Sequence, residues 1–133
     1  MKGSDLEFAR GLARKAENDW ITASSGVDHD FPLDTVCFHV QQAAEKLLKA
    51  ALVVRGVDYP LTHDLKRLID LAVAEYPLLA EFRTRLPAYT EFAVVMRYDE
   101  AAYPTREETM EALETVGRLR ESIHKLLPPE ARP

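Results

Sequence analysis

Apolar residues recur along this chain at the three- and four-residue interval of an amphipathic helix. Leu6, Ala9, Leu12, Ala13, Ala16, Trp20 and Ala23 follow that interval and share one face. Ser4 and Glu7 form a capping-box pattern ahead of them, so the first helix is expected to open at Ser4 and to fade near Ser24-Ser25-Gly26. A loop is expected over 27–32. The second helix is predicted over 33–55, closing at Gly56, with Val36, Val40, Ala43, Leu47, Ala51 and Val54 in a narrow arc that Cys37, Ala44 and Leu48 widen. It is the least polar segment, which places it at the centre of the fold.

Thr62 reads as the N-cap of a third helix over 63–75, ended by Tyr76-Pro77 because the residue before proline avoids the helical region. A fourth segment over 78–97 carries Pro87, which either kinks it or splits it into two short helices. Residues 98–104 read as a turn. Thr105 and Glu108 then form a second capping box, opening a last helix that ends at Pro128-Pro129 with a stripe of Leu113, Val116, Leu119, Ile123, Leu126 and Leu127. The chain shows no strand-like alternation and no internal repeat. The expected class is therefore all-α: an antiparallel up-and-down bundle of four to five helices, one domain over 1–133 with its ordered core over 5–127.

Composition narrows the function classes. At 133 residues the chain suits a single core. It holds 17 Lys and Arg against 22 Asp and Glu, for a net charge of −5, which argues against a broadly basic duplex-DNA binder but leaves room for a small phosphate site. The lone Cys37 excludes an internal disulfide and a thiolate zinc cage, and is expected to be a small core residue. His29, His39, His63 and His124 lack metal-ligand spacing, so neither a metal nor another cofactor is expected. No apolar run is long enough for a membrane span or a signal peptide, and a cytoplasmic location is expected.

Three places carry candidate chemistry. On the polar side of the second helix, spacings of three, four and three align His39, Gln42, Lys46 and Lys49 in one stripe. It is read either as a solvated face or as a donor-rich edge for a phosphate or a partner helix. His63, within Thr62-His63-Asp64-Leu65, stands at a helix start, where an imidazole serves local hydrogen bonding, phosphate binding or acid–base work. Arg97 and Tyr98, at a helix-to-loop transition, suit either a helix C-terminus or a phosphate fork with a stacking partner.

The block from Phe38 to Ala50, FHVQQAAEKLLKA, resembles the signature of the HEPN domain family, the higher-eukaryote and prokaryote nucleotide-binding domains. The Ala16-Asp19-Trp20 region, Thr62-His63-Asp64-Leu65 and Arg97-Tyr98-Asp99 agree with it in order, so the resemblance spans about residues 5–127. It implies a helical bundle, commonly a homodimer, of the stand-alone type encoded beside a minimal nucleotidyltransferase. Such a pair looks like a toxin–antitoxin or nucleotide-handling module.

In the family's ribonuclease branches, activity rests on an arginine and a histidine separated by four to six residues. Here Ala101 and Ala102 stand where that histidine would follow Arg97. A formal match, Arg118 with His124, lies in the wrong helix with the two side chains about 120° apart. The resemblance thus implies a nucleotide- or RNA-binding partner of a nucleotidyltransferase without ribonuclease activity and without catalytic residues of its own. It maps ligand contacts onto His39, Gln42, Lys46, His63, Arg97 and Tyr98, with Lys46 and His39 completing the positive edge, and marks Tyr98 or Tyr103 as candidate acceptors of adenylate; Lys49, from the same stripe, joins this local cationic cluster. The alternatives are a metal-independent ribonuclease toxin using His39 or His63, and a purely structural dimerisation or partner-binding module.

Overall fold

Alanine dominates the inner face of the first helix, and this governs how the chain packs. In the computed structural model, which describes residues 3–94 and 103–133, α1 (Gly3–Asp28) buries Ala9, Ala13, Ala16, Asp19, Ala23 and Gly26. Side chains this small allow a close approach to α2 (Leu33–Val53), since helix separation is set by the residues at the contact. The connection over 29–32 is too short for anything but an antiparallel hairpin. Both α1 termini differ from the expectation. Ser4 lies inside the helix rather than capping it, and the helix runs through Ser24-Ser25-Gly26. The Ser24 hydroxyl donates to the Trp20 carbonyl at 2.9 Å, so the serine is accommodated within a helix instead of ending it. Gly26 is needed there for space: a Cβ would come within 2.8 Å of the Phe31 ring.

α2 is the central element. It packs against α1, α3 (Leu65–Glu75), α4 (Arg106–Leu126) and a 3-10 segment at Leu86–Phe92, and its buried residues run around most of its circumference. After Val53 a short turn leads to Gly56, whose φ of +67° favours glycine. α3 is capped by Asp64, which accepts from the Lys66 amide at 3.0 Å, and not by Thr62. Thr62 instead accepts from the Asp64 amide at 3.0 Å, forming the turn that precedes the helix. Tyr76 ends α3 before Pro77, as expected, and its hydroxyl donates to the Ala51 carbonyl at 2.9 Å.

The fourth segment is split into two 3-10 pieces, Pro77–Arg83 and Leu86–Phe92, each with proline in its first turn. Their buried residues, Leu79 and Phe82, then Leu86, Tyr89 and Phe92, recur every third position, the period at which 3-10 side chains eclipse. The expected turn at 98–104 lies largely outside the described residues. α4 opens on the complete capping box of Thr105 and Glu108 and buries the expected stripe, with Leu126 half-buried at its end. Pro129–Ala131 follows as one more 3-10 turn, packed on α1. The chain is an all-helical bundle, and no described helix is long and apolar enough to cross a membrane.

Candidate functional site

The polar stripe of α2 does not simply face solvent. His39, Gln42, Lys46 and Lys49 lie along it, and two carboxylates gather them with His63 into paired knots. Asp19, from the alanine face of α1, accepts from Lys46 Nζ at 2.5 Å and pairs with His39 Nδ1 at 2.8 Å. Glu45, on α2 itself, accepts from Lys49 Nζ at 2.9 Å and pairs with His63 Nδ1 at 2.7 Å. Gln41, fully buried, donates to both Glu45 at 3.2 Å and the His63 carbonyl at 3.1 Å, which fixes the loop before α3 against α2. Gln42 donates to Gln41 Oε1 at 2.7 Å and so joins the same network.

The structure thus brings together five of the expected contact residues, and the two anions that organise them are the residues the spacing argument left out. Each carries a signal in the sequence. Glu45 stands four residues before Lys49, the favoured helical orientation for an ion pair. Asp19 interrupts the alanine stripe between Ala16 and Ala23, and a charge on an apolar face requires a buried partner. Arg97 and Tyr98 lie outside the described residues. Tyr103 is at the other end of α2, where its hydroxyl accepts from the Leu33 amide at 2.9 Å, six residues or about 9 Å along the axis from His39.

Chemically, each imidazole is tied by Nδ1 to a carboxylate, which leaves Nε2 to meet a ligand, and each lysine keeps further N–H donors beyond the one its carboxylate takes. Lys46 and Lys49 are balanced by Asp19 and Glu45, so the knots are neutral when both histidines are neutral and gain one charge with each imidazolium. Burial pushes the Glu45 carboxyl up, but hydrogen bonds from Lys49, His63 and Gln41 outweigh it and hold the group below its ordinary value. Cys37 is inert by contrast: burial raises its thiol to about 11, and it sits 3.3 Å from Thr109 Oγ1.

The Arg118–His124 match is not a site. Arg118 pairs with Glu81, whereas His124 sits in the field of Arg120 and Glu17, with Nε2 buried and without a hydrogen-bond partner among the described residues. Arg120 clasps Glu17 through two hydrogen bonds of 2.6 Å, which lower the Glu17 carboxyl. Burial, reinforced by Arg120, depresses His124 below its ordinary 6.5.

These shifts set an acid response. A histidine with a depressed folded value contributes fully above 6.5 and loses that contribution as pH falls through the folded value. Glu45 and Glu17, also depressed, contribute fully above 4.5 and lose it below. Thermal unfolding is therefore expected to show stability falling in two steps on acidification. His124→Leu should abolish the upper step, and a level melting temperature between about pH 7.5 and about pH 5 in the parent protein, a window that starts about one unit above the free imidazole value, would contradict this.

Comparison with known proteins agrees with the helical architecture. No curated protein and no solved structure matched the chain. The family model described as HEPN domain matches residues 9–126, from the alanine face of α1 to the end of α4, and the chain belongs to this family.

Proposed function

We propose that this HEPN protein is a nucleotide- or RNA-binding module that acts in the cytoplasm as a homodimer, as partner of a minimal nucleotidyltransferase in a toxin–antitoxin-like pair. It has no ribonuclease activity of its own. The observation that carries this reading is the row of His39, Gln42, Lys46, Lys49 and His63, held in place by Asp19 and Glu45. Side chains already immobilised by a carboxylate lose little further entropy when a phosphate oxygen accepts their remaining N–H groups. Arg97 supplies a planar fork for phosphate and Tyr98 a ring for stacking. Tyr98 and Tyr103 are the proposed acceptors of adenylate, passed by the partner from ATP to the phenolic oxygen with release of pyrophosphate.

The test is a titration of the protein with ATP and with a short single-stranded RNA at fixed salt. Arg97→Ala and Lys46→Ala are each expected to weaken binding at least about tenfold, or 1.4 kcal/mol. The RNA should be recovered intact after incubation in EDTA. Unchanged affinity in both variants would remove the site assignment, and cleavage in EDTA would make the protein a metal-independent ribonuclease instead.

A further inference from the structure

α1 and α4 both flank α2 but meet each other only sparsely. They touch where Trp20 lies on Gly117, so close that a Cβ there would stand 3.0 Å from the indole. Towards the end of α1 and the start of α4 the gap opens into a groove of about 580 Å³. Its floor is apolar, made by Trp20, Val27 and Leu113, with Met110 left 45% exposed at the edge. Its rim is acidic. Asp28, Glu107 and Glu114 line it, and none of their three carboxylates forms a hydrogen bond or ion pair among the described residues. Glu111, also on the rim, accepts from the Tyr89 hydroxyl at 3.3 Å and pairs with Arg85 at 3.7 Å, so the unpaired charge is that of the other three. Among the described residues no basic side chain lines the groove, and Arg120 near the Trp20 ring is already neutralised by Glu17.

We propose that this groove docks a basic amphipathic helix of a different protein. Charge complementarity carries the choice of occupant: uncompensated carboxylates beside an apolar floor repel an acidic segment and favour lysine or arginine flanking a hydrophobic stripe. The dimensions agree. Trp20 to Asp28 spans about 12 Å, room for two turns of a helix laying residues i, i+3 and i+7 on the floor. The groove residues are separate from the α2 knots, so this proposal and the phosphate-binding reading stand or fall independently.

Trp20 is the sole tryptophan and reports directly on the groove floor. The probe is a synthetic helical peptide of about 14 residues with leucines at i, i+3 and i+7 and lysines on both flanks. It is expected to shift Trp20 emission saturably, more weakly as salt rises. Glu107→Lys combined with Glu114→Lys should reduce its affinity at least about tenfold, as expected when rim attraction becomes repulsion. Met110→Ser, which leaves the charge unchanged, should also weaken it, and circular dichroism should show both variants folded. ATP binding should be unaffected in either. The proposal is overturned by an absent or unsaturable response, by equal affinity of the charge-reversed variant, or by an equal response to spermidine or to a glutamate-flanked peptide. It is likewise overturned if raising the protein concentration alone shifts the emission while the mass doubles, which would assign the groove to a second copy of the chain.

Discussion

Replacing Glu45 with alanine is expected to destabilise the protein by about 3–5 kcal/mol, the cost of leaving one half of a buried ion pair behind. The Glu45 side chain is 6% exposed and its partner Lys49 only 13%, so water cannot readily replace the lost acceptor. Gln41, wholly buried, loses one of its two acceptors at the same time. For a domain of this size the melting temperature should drop by about 10–20 °C. Urea unfolding should show a lower midpoint with an unchanged slope, because the surface exposed on unfolding is the same. Glu45→Gln, which keeps the shape and loses the charge, should fall between the two. A loss below about 1 kcal/mol would mean that the knot behaves as a surface ion pair.

The second large effect is in the apolar core, and two leucines define its scale. Leu48 is fully buried on the central helix, and Leu48→Ala is expected to lose about 2–5 kcal/mol from lost burial and the cavity left behind. Leu61 is 99% exposed, and Leu61→Ala should change stability by less than about 0.5 kcal/mol. Denaturant unfolding of both variants checks the contrast. Similar losses in the two would contradict the central placement of α2.

That placement was legible from the sequence alone, because an arc of apolar residues on a long helix with few charges has to be enclosed. So was the start of α4, where Thr105 and Glu108 form both reciprocal hydrogen bonds of the capping box. The same pattern at Ser4 and Glu7 did not mark a helix start, since serine is tolerated in the first turn and the pattern does not say where the helix begins. The end of α1 was misread for a related reason. Ser24 back-bonds to the preceding turn, and Gly26 serves the packing of Phe31, so neither breaks the helix. The 3-10 character of Pro77–Arg83 and Leu86–Phe92 was hidden because two prolines announce an interruption without specifying what replaces the α-helix.

Within the candidate site, spacing identified His39, Gln42, Lys46 and Lys49 as one stripe, and the position of His63 at a helix start marked it separately. Spacing did not show that the lysines are charge-balanced. Asp19 reaches Lys46 across 27 positions of sequence, and His63 reaches Glu45 across 18.

The sequence by itself thus determined what is local: which segments are helical, which face of each is apolar, and which family the chain belongs to. The first two follow from the repeat of the helix, which relates residues three and four apart, and the family from the block FHVQQAAEKLLKA. The tertiary structure alone decided which charges meet and where the surface stays open. The alanine face of α1 lets it lie close enough to α2 for Asp19 to gather His39 and Lys46, while α4 stands off from α1 beyond the Trp20–Gly117 contact and leaves an acidic groove. Helix separation and axial stagger control both outcomes, and these arise only when whole faces pack together.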